Sequence, residues 1–374
     1  MESKTTVDIL IKGGGMVGLL AAVALSKSGF EVRVEEKTAV VFKNTEDYDL
    51  RVSSITPVSV KIFQSLGVWE DIQKNRVSPF EQIKVWEDLP EEVLIFEGKK
   101  TGENPLGYII ENRVIKQALL NSPHLSLRDI LSRKGRGNLE VKLVIAADGA
   151  DSETRKQAGI ECEIKNYHQQ AIAAHISTSK PHQKIARQRF LPAGPLGFLP
   201  LSDQHHCSIV WSQTEDMAKI LSSMSDVEFN SALQDAFGSE LGEVHVISPR
   251  LVFPLKMQSA KHYIQSNLAL IGDAAHTIHP LAGLGVNMGF LDAMTLVHIL
   301  KKARLEKRNI GGLHTLRKYE RARKSENLLM QKIVDSFTVP VLRHAGIKFT
   351  EKSQFLNNFF MNWMSHHGEE NAFI

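Results

Sequence analysis

The chain has 374 residues, 43% of them hydrophobic and 23% charged, with a formal net charge of +3. That apolar mass suffices for a large buried core and excludes a disordered chain or a single small binding module, while the small net charge gives no reason to expect nucleic-acid binding. Two cysteines, Cys162 and Cys207, build neither a disulfide framework nor a zinc cluster, so a reducing compartment is expected.

Met1 to Asp8 is polar and acidic, unlike a cleaved leader, and no apolar run reaches the roughly 18 residues of a membrane span. Val7, Ile9 and Ile11 then alternate along a strand that runs into Gly13-Gly14-Gly15-Met16-Val17-Gly18, followed by an apolar helix over Leu19 to Leu25. In this strand, turn and helix setting the glycines permit a tight turn and close backbone approach, and the helix N-terminus offers free N–H groups to a pyrophosphate. A second strand, Phe30 to Glu36, puts Phe30, Val32 and Val34 on one face and ends in acids. One of these is placed to bond a ribose hydroxyl: Glu36 by first choice, Glu35 by second.

Leu268 to Asn287 reads LALIGDAAHTIHPLAGLGVN: an apolar strand, Gly272-Asp273, a proline-containing loop, then Gly283-Leu284-Gly285 opening a helix over Val286 to Leu300. Asp273 at the strand end suits ribityl hydroxyls, and Gly272 lets the chain pass close to a phosphate. Gly283 and Gly285 let backbone N–H groups face the pyrimidine end of a flavin, where a helix N-terminus stabilises negative charge on the reduced ring. His276, His279 and Pro280, beside this motif, are the candidates for a catalytic role, and the remaining histidines read as solvated.

From Lys301 to Lys324, ten cations (301, 302, 304, 307, 308, 317, 318, 321, 323, 324) stand against Glu306 and Glu320. The block reads either as a solvated helical face or as attraction to anionic lipid headgroups. Phe355, Leu356, Phe359, Phe360, Trp363 and Met364 recur at helical spacing, as a core stripe or as an interfacial helix or partner groove.

Further segments complete a pattern: Tyr48-Asp49-Leu50-Arg51-Val52-Ser53, Leu66-Gly67-Val68-Trp69, Gly107 to Arg113, Ala147-Asp148-Gly149-Ala150-Asp151-Ser152, Gly194 to Leu201, and Ser208 to Trp211. Together with the two glycine motifs, in this order, they resemble the group A flavoprotein monooxygenases, and within them the ubiquinone-biosynthesis hydroxylase family, over nearly the whole chain. The resemblance implies FAD, with Gly13, Gly15, Gly18 and Glu36 at its ADP half, Arg113, Gly272 and Asp273 at the ribityl-phosphate region, and Gly283, Gly285, Val286 and Asn287 at the ring. Arg51 and Asp148 are implied as further contacts. NAD(P)H or another donor would act as transient reductant and O2 as co-substrate, and a flavin C4a-hydroperoxide would hydroxylate an electron-rich aromatic ring.

The implied substrate is a polyprenylated phenol or benzoquinol of ubiquinone biosynthesis. The alternatives are another aromatic substrate, or a weakly active or non-catalytic structural member of a quinone-biosynthesis assembly. No metal or nucleic acid is expected, and the location is expected to be cytoplasmic, with peripheral contact to the inner face of the cytoplasmic membrane as the sharper reading.

The expected fold is α/β: a Rossmann-type FAD-binding domain over 1–75, 106–165 and 258–325, a mostly antiparallel β substrate domain over 76–105 and 166–257, and a helical segment over 326–374. Four features depart from the family pattern. Lys12 and Glu35 stand where aliphatic residues are usual, and Lys12 either reaches the pyrophosphate or weakens cofactor binding. Leu284 replaces a glutamine and is expected to cost a polar side chain near the flavin. The stretch from Asn121 to Leu143 is short, with some strand pairs expected to be missing.

Overall fold

The computed structural model describes residues 5–37, 47–87, 93–98, 104–125, 130–132, 139–280 and 283–337. Strand Thr5–Lys12 lies between Val32–Glu36 and Leu139–Ala146 and runs parallel to both. Because helices cover both faces of such a sheet, Val7, Ile9 and Ile11 are fully buried. The full six-strand order is Ile264–Gln265, Leu268–Leu270, Leu139–Ala146, Thr5–Lys12, Val32–Glu36, Ile130–Ser132, with only the first pair antiparallel. The short stretch after Asn121 therefore still supplies an edge strand, Ile130–Ser132, and residues 126–129 and 133–138 lie outside the described ones.

Helix Met16–Lys27 follows the first glycine turn and buries every residue from Gly18 to Leu25, which is why its apolar character runs all round. Helix Gly285–Leu305 packs beside it, and helix Leu313–Ser336 packs in turn against Gly285–Leu305. The final helix starts well before the expected 325/326 boundary because it belongs to the core of the nucleotide-fold domain through Leu316 and Tyr319, both fully buried.

The second sheet is built on the long strand Cys162–Thr178, which crosses the expected boundary at 165/166 and pairs antiparallel with Leu251–Ala260 and His206–Thr214. Its pairings are antiparallel apart from Ile185–Leu191 with Gln82–Trp86. One face, with Ile172, Ala174, Ile176, Phe198, Ile209 and Trp211, packs against Leu221, Phe229 and Leu233 of helices Glu215–Ser223 and Asp226–Phe237. Alternation puts Ala171, Ala173, His175 and Val210 on the opposite face, where His175 meets the Asp49 carbonyl of the nucleotide-fold domain. Val77–Phe80, expected in the substrate sheet, instead joins Gly107–Glu111 and Val52–Ile55 in a third, three-stranded sheet.

Most of the basic block is surface: Lys301, Lys302, Arg304, Lys307, Arg308, Arg317, Lys318 and Arg321 are exposed. Arg323 is the exception, 4% exposed, and it corrects the reading of the block as one solvated face. Among the described residues no helix is long and apolar enough to cross a membrane, and no cluster of metal-binding side chains occurs. Both cysteines are free thiols. The stripe from Phe355 to Met364 lies outside the described residues.

Candidate functional site

The first glycine turn is shaped by backbone contact. Gly13 has φ +111°, and a Cβ there would lie 2.2 Å from the Ala147 carbonyl oxygen. A Cβ on Gly18 would lie 2.0 Å from the Gly13 oxygen, so neither position accepts a side chain. Gly15 is exposed, with nothing within 4 Å of its Cβ position, and it caps helix Met16–Lys27 without a side-chain bond. The opening N–H groups of that helix thus face open space. A cavity of about 620 Å³ begins there, lined by Lys12, Gly13, Gly15, Glu35, Glu36, Lys37, Asp148, Gly149 and Glu153 among others.

Within the cavity, Glu36 accepts from the Gly14 N–H at 2.6 Å and the Lys37 N–H at 2.7 Å, which fixes its carboxylate beside the glycine turn. Asp148 lines the cavity, but its carboxylate accepts from the Ser152 hydroxyl and from the N–H and hydroxyl of Thr154 at 3.0 and 2.8 Å, which holds the start of helix Glu153–Gln157. Glu35 is 9% exposed at the cavity wall.

The second turn depends on a buried carboxylate. Asp292, fully buried in helix Gly285–Leu305, accepts from the Gly272 N–H at 3.0 Å, His276 Nε2 at 2.6 Å, Arg323 Nε at 2.9 Å and Asn327 Nδ2 at 3.0 Å. Burial alone would raise its pKa, but His276 and Arg323 outweigh burial and bring it to about 2. The hub leaves Gly272 at φ +57° and, between the buried Gly272 and Ala274, turns Asp273 out to solvent. Protein crowded around the Asp273 carboxyl still holds it above the usual carboxylate range, with His276 pulling it down and Asp292 pushing it up.

The other candidates divide between contact positions and scaffold. His276 is 2% exposed and its Nε2 is committed to Asp292. His279 is 1% exposed, edge-on to Tyr167 with ring centroids 5.2 Å apart, and burial lowers its pKa to about 4, with Asp335 opposing. Tyr167 donates to Asp335 at 2.9 Å and Lys165 reaches the same carboxylate at 2.7 Å, which pins the end of the last helix beside the 276–280 loop. Pro280 is partly buried in that loop. Asn287 spends its side chain on Thr56 N–H at 3.0 Å, Ser59 Oγ at 2.8 Å and the Ser54 carbonyl at 2.8 Å. Gly283, at φ +61°, Gly285 and the partly buried Val286 therefore present backbone rather than side chains at the helix start.

Leu284 corrects an expectation. It is 2% exposed and packs with Met288, Met330 and Val334 against the last helix, so its side chain takes nothing away from the cleft. Arg113 forms an ion pair with Glu111 at 2.8 Å and donates to the Asp47 carbonyl at 2.7 Å; these partners lie outside the residues lining the cavity. Arg51 is exposed at the foot of strand Val52–Ile55.

Sequence reasoning missed Asp292, Arg323 and Asn327. An acid inside the otherwise apolar stretch Val286 to Leu300 was the signal available for Asp292. It also missed His175, 2% exposed on the inner face of the substrate sheet, whose buried Nδ1 has no hydrogen-bond partner among the described residues.

The FAD binding domain family profile matches residues 6–104 and 126–332 of this chain. The chain is 35% identical over 349 residues to the 3-demethoxyubiquinol 3-hydroxylase of Escherichia coli (strain K12), covering 88% of each. It is 31% identical to the mitochondrial ubiquinone biosynthesis monooxygenase COQ6 of Homo sapiens, across 89% of this chain and 85% of that protein. Among solved structures, p-nitrophenol 4-monooxygenase PnpA from Pseudomonas putida DLL-E4 superposes with a TM-score of 0.67 at 18% identity, across 98% of this chain and 95% of that one, which shows a shared fold.

Proposed function

Because this chain belongs to the FAD binding domain family, we propose that it hydroxylates the aromatic ring of a polyprenylated phenol or benzoquinol in ubiquinone biosynthesis. It is an FAD-dependent monooxygenase, and the residues present fit the cofactor: the open face at Gly15, the uncapped helix Met16–Lys27, the cavity carrying Glu36, and the outward Asp273. When bound and reduced by NAD(P)H, FAD activates O2 so that one oxygen atom passes to an electron-rich ring. The observation that carries the substrate class is the 35% identity to a demethoxyubiquinol hydroxylase across 88% of both chains.

In this reading Gly13, Gly15 and Gly18 bring backbone against the pyrophosphate, Glu36 holds the adenosine ribose, and Asp273 meets the ribityl chain. The side-chain-free start of helix Gly285–Leu305 aims N–H groups and the positive end of the helix dipole at the ring, favouring negative charge there. The inner face of the substrate sheet, with Ala171, Ala173 and Val210, supplies a shallow apolar floor for an aromatic ring and helps exclude water.

The test is hydroxylation of a short-chain 2-prenylphenol under ¹⁸O2 by the FAD-loaded protein with NAD(P)H. One labelled oxygen in the ring product is expected. Flavin-loaded protein that consumes NAD(P)H without labelled product from any prenylated phenol or quinol would sink the substrate assignment.

A further inference from the structure

The geometry points to Lys12 as a contact to the phosphate of the cofactor's adenylate half, one that offsets the acidity of the cavity in which that half sits. The inference rests on the FAD reading above and adds a side-chain contact to it. Lys12 closes strand Thr5–Lys12 immediately before Gly13, lines the same 620 Å³ cavity as Gly15, and is partly exposed there. Its side chain is a flexible four-carbon stem carrying an ammonium, and it stands at the wall of the cavity that Gly13 and Gly15 also line. Among the described residues its ammonium has no hydrogen-bond or ion-pair partner.

The charge around it explains why a cation is useful. Four carboxylates, Glu35, Glu36, Asp148 and Glu153, line the cavity against two cations, Lys12 and Lys37. Lys37 is already engaged with Glu153 at 3.1 Å, and Glu36 occupies the Gly14 N–H at 2.6 Å, removing one backbone donor from the glycine turn. Among the described residues that line the cavity, Lys12 is the cation not paired with a carboxylate, and it is placed to meet a diphosphate entering among these acids. An aliphatic residue at the end of this strand would leave that field uncompensated.

The experiment uses the full chain stripped of flavin, titrated with FAD, ADP and adenosine at several salt concentrations. ADP should bind native protein at least tenfold more tightly than adenosine, with affinity falling as salt rises. Lys12→Met should weaken FAD and ADP by about 10- to 100-fold, leave adenosine within about twofold, and flatten the salt dependence; Lys12→Arg should recover most of the loss. ADP no tighter than adenosine in native protein, Lys12→Met binding ADP as well as native, or equal losses for ADP and adenosine would each overturn the proposal. Lys12→Gln, a polar side chain of similar length without the charge, gives the same readout should Lys12→Met not fold, and ADP binding as tight as native in it would overturn the proposal. Native protein that takes up neither FAD nor ADP would overturn the FAD reading itself, a result distinct from a failure confined to the Lys12 variants.

Discussion

The two glycine turns are held in different ways. Gly13 to Gly18 is shaped mainly by backbone: it closes against Ala147, just past the neighbouring strand, and against itself, with the Glu36 carboxylate accepting from the Gly14 N–H. The Gly272 turn is held from a distance, by Asp292 twenty residues on and by Arg323 and Asn327 on another helix. The first turn is therefore as robust as close packing, while the second is as vulnerable as a buried ion pair, whose loss of one partner strands the other in a medium of low polarity.

The largest expected effect follows directly. Asp292→Ala leaves the Arg323 guanidinium buried and frees the Gly272 turn, and should cost about 3–5 kcal/mol in urea unfolding, with part recovered by adding Arg323→Met. A loss under about 1 kcal/mol would mean the two turns are not so different. Next is acid sensitivity near the second turn. Burial lowers His279 from 6.5 to about 4, so the unfolded chain takes up a proton first. Its contribution is complete above pH 6.5 and is lost as pH falls toward 4, up to about 3 kcal/mol across that window. His175 and His182, also lowered by burial, act in the same direction. His279→Phe should flatten the stability profile between those pH values, and an unchanged slope would assign the sensitivity elsewhere.

A smaller effect tests the orientation of Leu284. Leu284→Gln installs the residue that the resemblance implies at this position, yet it buries an amide among Met288, Met330 and Val334 and should lower stability by about 1–3 kcal/mol without improving FAD affinity. Tighter FAD binding by this variant would place the side chain in the cleft after all. The smallest change is Asp273→Asn, which should leave the unfolding midpoint nearly unaltered because the side chain is exposed, while FAD dissociation rises about tenfold. Loss of stability with intact FAD binding would reverse the roles of Asp273 and Asp292.

The legible parts of the molecule were those with short-range causes. Gly13 to Gly18 and Glu36 form one strand, turn, helix and strand unit, so spacing and residue type suffice to read them. Asp273 was readable as an outward acid at a strand end. Arg323 was not, because a cation in a basic run looks solvated until the fold shows which turn of the helix faces Asp292. Leu284 was misplaced for a similar reason: a residue between two glycines has no periodicity to reveal its side, and packing against Met330 and Val334 decided it.

The sequence by itself determined a nucleotide fold with two glycine turns and the flavin hydroxylase family. These follow from local steric and hydrogen-bonding needs that any chain must meet with the same residue types. Only the tertiary structure decided that Asp292 holds the second turn, that His276 serves that hub, that Leu284 packs against Met330 and Val334, and that Lys12 has no partner among the described residues in an acidic cavity. Those outcomes depend on which distant groups share a buried volume, and the energy of a charge is set by what surrounds it rather than by its neighbours along the chain.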